Sequence, residues 1–197
     1  MKTIKTLAIA LACTAVLSAC KEEPAANKTA ATQAPTGISP QKMADAIHTV
    51  LEADRTTYTK LIVNRLAVQE KVIKASEHWE DDKALLLPAQ IFRAGAERAQ
   101  DSGADFSYSL ISAWPINPQN KPRTDAETKG LDFLAINPGQ NFYSEETLGN
   151  KKFFTAVYPD VAVAEACVKC HNQHSDSPKT DFRIGDVMGG VVVRIPL

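Results

Sequence analysis

The chain has 197 residues, with 22 basic and 23 acidic side chains and a formal net charge of −1. No block of basic residues is present, which excludes nucleic acid as a natural partner. The cysteine count is four, too few and too unevenly placed for a disulfide scaffold.

The chain opens with Lys2 and Lys5, an apolar run from Leu7 to Leu17, and then Leu17-Ser18-Ala19-Cys20. A positive start, a short apolar stretch and small residues before a cleavage point make a processing signal. The run is shorter than the about 20 residues that a bilayer core requires. The Leu-Ser-Ala-Cys ending resembles the bacterial lipobox, whose cysteine takes a diacylglycerol thioether. Residues 1–19 are therefore predicted as a lipoprotein signal peptide, with Cys20 as the lipidation site that tethers the protein to a membrane. Losing Lys2 and Lys5 would move the formal charge from −1 to −3. Residues 20–39 are rich in Ala, Thr, Pro, Lys and Glu, a composition that cannot build a core and predicts a flexible linker. The stretch 40–197 has the size of one domain.

Within that domain Ser39-Pro40 is a helix start, a capping hydroxyl followed by proline at the first helical position. Apolar residues from Met43 to Ile73 recur mostly at spacings of three, four or seven. They predict one long amphipathic helix of about 35 residues ending near His78. Such a length suits a helix that crosses the domain or pairs with a second copy to make a homodimer. Pro88-Ala89 opens a second helix that stops near Gly103. Phe106 to Trp114 alternates as a strand, and Pro115 to Pro122 is a loop because its prolines would interrupt any ladder. Thr124 to Glu127 is a capping box opening a third helix that runs to Pro138-Gly139. Phe153 to Tyr158 and Val187 to Ile195 are strand candidates, the latter holding Gly189-Gly190 as a bulge or close backbone approach. The fold class is α+β, a central antiparallel sheet with helices to one side. Asp81-Asp82 and Glu145-Glu146 are expected on solvated faces.

Two of the four cysteines remain for chemistry, in Cys167-Val168-Lys169-Cys170-His171. This is C-x-x-C-H, the attachment motif of c-type haem. Two thiols on one helical turn reach the two vinyl groups on one porphyrin edge, and the adjacent imidazole reaches the iron. Cys167, Cys170 and His171 are thus predicted to bind one covalent haem c, with His171 as the proximal iron ligand. Export supports the motif, because such haem is attached outside the cytoplasm. A zinc site from Cys167, Cys170, His171 and His174 is the competing reading, but four ligands within eight residues crowd a tetrahedral ion. A thioredoxin-like pair would need a βαβ pattern, and none precedes the motif.

The second axial position separates electron transfer from gas binding. Candidates are His48, His78, His174, Met43, Met188 and Tyr58. Met43 fits the apolar stripe of the first helix, His174 follows His171 closely, and Met188 sits among glycines. His78, at the expected end of the long helix, is the predicted distal ligand. No nucleophile triad or carboxylate pair has an anchor in this sequence, and an enzymatic role ranks last, with Arg93 and His78 as its isolated supports.

Over residues 40–197 the chain resembles a family of c-type haem-binding, PAS-like domains found alone or as the sensor part of bacterial histidine kinases and chemoreceptors. The likeness is carried by the long first helix, Pro88-Ala89, Asn117-x-x-Asn120-x-Pro122, the C-x-x-C-H of Cys167 to His171, and Gly185-Asp186-x-x-Gly189 before the last strand. The resemblance implies a five-stranded antiparallel sheet, with haem held between the C-x-x-C-H segment and the N-terminal helical region. It also implies His171 as axial ligand. Some members place a second axial cysteine shortly ahead of the Pro-Ala helix start. None stands there in this chain, where His78 is the nearer candidate and Lys83 a weaker one.

Two functions follow as expectations: a haem-based redox or gas sensor module, and a lipid-anchored electron-transfer cytochrome c. Either would act in the periplasm through a redox or signalling protein partner, since the sequence ends at Leu197 with no output domain. Lys21 after the lipidated cysteine, by analogy with other lipoproteins, points to the outer membrane over the inner.

Overall fold

Residues 37–197 are described in the computed structural model of the chain. The predicted leader, the Cys20 lipid site and nearly all of the linker lie outside the described residues.

The first helix, α1 (Pro40–Thr57), begins as its sequence dictates, with the Ser39 hydroxyl accepting from the Lys42 amide at 3.3 Å and Pro40 at the first position. Beyond Thr57 the coil widens. Tyr58–Gln69 is π-helical, and its end shows the longer reach directly: the Glu70 amide donates to the Arg65 carbonyl at 2.8 Å. Lys71 then adopts a positive φ of 56° and turns the chain away. The expected single helix to His78 is thus corrected to a helical body that ends at Gln69. The apolar pattern misled at Val72, which is 67% exposed.

The connection to the next helix is stapled by one parallel bridge, Ala75 with Leu85, and by the Tyr58 hydroxyl donating to the Leu86 carbonyl at 2.9 Å. Helix α2 (Pro88–Asp101) starts where Gln90 Oε1 accepts from the Leu87 amide at 2.8 Å and stops ahead of Gly103, whose φ is +79°. Strand β1 (Ser107–Ile111) is shorter than its alternation suggests, because the Ser112 amide donates to Asn120 of the following loop. Within that loop Pro118–Asn120 makes one 3-10 turn. The capping box is formed: Thr124 Oγ1 accepts from the Glu127 amide and opens α3 (Asp125–Ile136).

Strands β2 (Phe142–Leu148), β3 (Lys151–Val161) and β4 (Val187–Pro196) follow, with α4 (Glu165–Gln173) between the last two. The sheet is antiparallel throughout, in the order β1-β4-β3-β2. Four strands pair in it among the described residues, which corrects the five implied by resemblance.

Helices cover both faces of the sheet, not one. Ala156, Tyr158, Val191, Val193 and Ile195 face Ala44 of α1 and Phe92 of α2. Val157 and Val192 face the opposite way, against Leu131 and Leu134 of α3. The run Val191-Val192-Val193 is apolar without alternation because both of its sides are buried. Gly189 allows the chains to close at one end of β4: a Cβ there would sit 2.2 Å from the Ile111 carbonyl oxygen. The expected close backbone approach is present. A third cluster, Ala162, Phe182 and Met188 with Trp114 and Cys167, lies beyond that end and supports α4.

Candidate functional site

Helix α4 carries the C-x-x-C-H segment but lacks a cap of its own, since its N-cap residue is Ala164. A remote side chain supplies one. Asn64 Oδ1, from the π-helical segment, accepts from the Ala166 amide at 3.1 Å and satisfies one of the free donors at the helix start. The other end is clamped by Asn172. Its Nδ2 donates to the Phe182 carbonyl at 2.9 Å and its Oδ1 accepts from the Phe182 amide at 3.0 Å. Phe182 then meets the His171 ring edge-on, with centroids 5.9 Å apart. The turn after Phe182 explains Gly185-Asp186: Gly185 has φ +96°, and Ala162 exchanges backbone bonds with both residues.

Beside α4 lies a cavity of about 480 Å³, within the range of small-molecule and cofactor sites. Cys167, Cys170 and His171 all line it, from one wall. Other walls come from the π-helical segment (Val63), the start of α2 (Leu87, Pro88, Arg93), the end of β1 and the loop after it (Trp114, Asn117, Asn120). Both thiols are free, and Cys170 is exposed at the rim. His171 Nδ1 is buried without a hydrogen-bond partner. Burial holds the His171 imidazole below its usual value, an effect that nearby Asp160 opposes and Arg55 reinforces. The neutral ring is the form that ligates a metal.

The predicted residues divide cleanly by position. Cys167, Cys170 and His171 come together, and His174 and Met188 share the cavity with them. His78 is elsewhere. Its side chain is 73% exposed beside Glu77, while its neighbours Glu77 and Trp79 line the cavity and it does not. His48 is half-buried against Tyr158, rings stacked at 3.9 Å, on the α1 side of the sheet. Tyr58 is committed to Leu86, and Met43 and Lys83 are surface residues. No group of three or more His, Cys, Asp or Glu side chains is gathered as a metal ion would need among the described residues. The zinc reading therefore has no geometric support.

Sequence reasoning missed Asn64, Asn172 and the Arg55–Asp160 ion pair, which joins α1 to the end of β3 at the cavity wall. Partners 105 positions apart leave no local signal. Asn172, adjacent to the motif, could have been noticed as a side chain able to clamp a returning loop.

Fold and cavity together define a class: an α+β protein in which a C-x-x-C-H helix closes one wall of a cofactor-sized cavity at the end of a four-stranded antiparallel sheet. The chain belongs to the Tll0287-like family, whose profile matches residues 33–196. Among solved structures it is similar to the cyanobacterial haem protein Tll0287, with a TM-score of 0.52 and 18% identity, covering 81% of this chain and 97% of that one. None of the curated proteins matches it.

Proposed function

We propose that this protein is a monohaem c-type protein, with Cys167 and Cys170 forming thioethers to the two vinyl groups and His171 the axial iron ligand. The observation that carries the reading is the shared cavity wall: both free thiols and a neutral, half-buried imidazole face one cofactor-sized space. The haem protein among its structural neighbours and the family membership support it. When bound, haem supplies a one-electron redox centre able to take a sixth ligand. The chain's own residues do the holding. Asn64 and Asn172 pin the two ends of α4, and Phe182 sets the plane of the His171 ring.

The role we assign is that of a PAS-like redox or gas-sensing module, exported to the periplasm and held at a membrane by lipid on Cys20. Sensing rests on the PAS-like resemblance; His78, the expected second axial ligand, is not among the residues that line the cavity, whereas His174 and Met188 are. A lipid-anchored electron carrier is the second reading. It is favoured by exposed Cys170, which would leave one haem edge near solvent and within reach of a redox partner.

A pyridine haemochrome assay on mature protein tests attachment. The expected spectrum is that of a haem with both vinyls saturated, retained after extraction with acidified organic solvent. A C167S/C170S variant should release its pigment. Colourless wild-type protein, or pigment lost to the solvent, overturns the reading. Binding of carbon monoxide by the reduced protein then separates the roles: uptake supports sensing, and an inert six-coordinate spectrum supports the carrier.

A further inference from the structure

The cavity has ionisable side chains that the C-x-x-C-H helix does not explain. Arg55, Glu77, Arg93, Glu97, Asp160 and His174 all line it. Arg55 is neutralised by Asp160. Glu77 lies near two imidazoles, 3.7 Å from His78 and 3.9 Å from His174. Arg93 differs, because among the described residues its guanidinium bonds only to neutral amides, Gln119 Oε1 and, at 2.8 Å, Asn120 Oδ1. Glu97, one turn further along α2, forms no ion pair with it among the described residues.

The loop that meets Arg93 is built to hold donors in place. Asn117 Oδ1 accepts from the Gln119 amide at 2.9 Å, the Asn120 amide donates to the Asn117 carbonyl, and the Asn120 carbonyl accepts from Ser112. The side-chain oxygen of Asn117 is thus used within the loop, and that of Asn120 by Arg93 itself. What Asn117 and Asn120 can still offer the cavity is their NH2 groups, beside a cation with no anionic partner among the described residues.

We propose that Arg93, with the side-chain amides of Asn117 and Asn120, is the seat of the haem propionate carboxylates. The proposal rests on the haem reading above and deepens it. On a porphyrin the vinyl and propionate groups occupy opposite edges. Fastening the vinyl edge to α4 sends the carboxylates toward walls built by other elements. Two carboxylates entering a protein cavity need charge-assisted partners, and a guanidinium fork is the group best matched to them. Arg55 is already taken, so among the described residues that line the cavity Arg93 is the cation available. The Asn117-x-x-Asn120-x-Pro122 pattern then has a job: it fixes a donor-rich loop beside that arginine.

The test uses mature haem-loaded protein and reads the pH dependence of the reduction potential. In Arg93→Gln, with haem still attached by the pyridine haemochrome assay, a propionate that has lost its counter-charge should titrate between about pH 5 and 8 and add a new pH-dependent step to the potential. Arg93→Lys should remove most of that step. Gln119→Ala, which cuts the loop tether and keeps the charge, should leave the profile as in the wild type. Wild-type behaviour in Arg93→Gln would overturn the proposal and reduce Arg93 to a loop tether. Should Arg93→Gln fail to accumulate, Arg93→Lys decides by resonance Raman: the propionate bending band should shift, and an unmoved band overturns the proposal. A wild-type protein without thioether-linked haem sinks the haem reading itself, an outcome the attachment assay reports separately.

Discussion

Arg194, on β4, holds two carboxylates at once: Glu127 of α3 at 2.7 Å and Glu146 of β2 at 2.8 Å, with all three side chains at most 13% exposed. Thr155 adds a hydroxyl to Glu146 at 2.6 Å. The expectation of solvated faces holds for exposed Glu145 and fails for Glu146, because alternate strand residues point to opposite sides. Burial acts to raise the Glu146 carboxyl, and the bonds from Thr155, Arg194 and Thr124 outweigh it, so the group sits below its ordinary value. Replacing Arg194 by Met strands both carboxylates and should cost about 3–5 kcal/mol, read from urea unfolding at neutral pH. The sign of the pH effect follows from linkage. An unfolded glutamate titrates near about 4.3, and the folded one lies lower. Its contribution is complete above that pH and is lost as pH falls through the folded value. Acid should therefore weaken the wild type over that window more than it weakens Arg194→Met. At His78 the prediction is spectroscopic. Its exposed imidazole is outside the cavity, so His78→Ala should leave the haem absorption bands of both oxidation states unchanged. A shift to a high-spin spectrum would identify it as the distal ligand.

Among the elements, α3 shows how closely helix and sheet are fitted. A Cβ on Gly130 would sit 2.5 Å from Val157 Cγ2 and 3.2 Å from the Phe142 ring. Gly130→Ala should therefore destabilise by about 1–3 kcal/mol through overpacking, despite the better helix propensity of alanine. For a domain of this size the thermal midpoint should fall by about 2–4 °C per kcal/mol. The start of α3 was legible because Thr124 and Glu127 cap each other within four residues. Strand β2 was not: Phe142-Tyr143-Ser144-Glu145-Glu146-Thr147-Leu148 shows no clean alternation, and its pairing with β3 from Phe142↔Val157 to Leu148↔Lys151 makes it a strand. The switch from α1 to a π-helical coil was equally hidden. Its apolar residues still recur at helical intervals, while the change lies in backbone bonds that reach one residue further. What gives that segment its place is contact with α4 through Asn64.

On the scale of the whole molecule, residues Gly37–Leu197 form a compact unit containing all three apolar clusters. A chain beginning at Gly37 should unfold cooperatively with a thermal midpoint within about 2 °C of the full-length protein. A broad or much lower transition would show that the first 36 residues contribute to the fold. No helix among the described residues is long and apolar enough to cross a membrane. The proposed membrane attachment is assigned to lipid on Cys20, and a Cys20→Ser variant separates anchoring from haem chemistry.

The sequence alone determined the features whose physics is local: the Ser39, Pro88 and Thr124 helix starts, the Gly103 stop, and two thiols and an imidazole adjacent on one turn at Cys167, Cys170 and His171. Those depend on neighbours a few positions away, so spacing carries them. Tertiary structure decided what distant segments bring together: helices on both faces of the sheet, the cap on α4 from Asn64, the cavity shared by α4, α2 and the 115–120 loop, and the exclusion of His78 from it. Such contacts join residues tens of positions apart, and burial and pairing select them only once the chain has closed on itself.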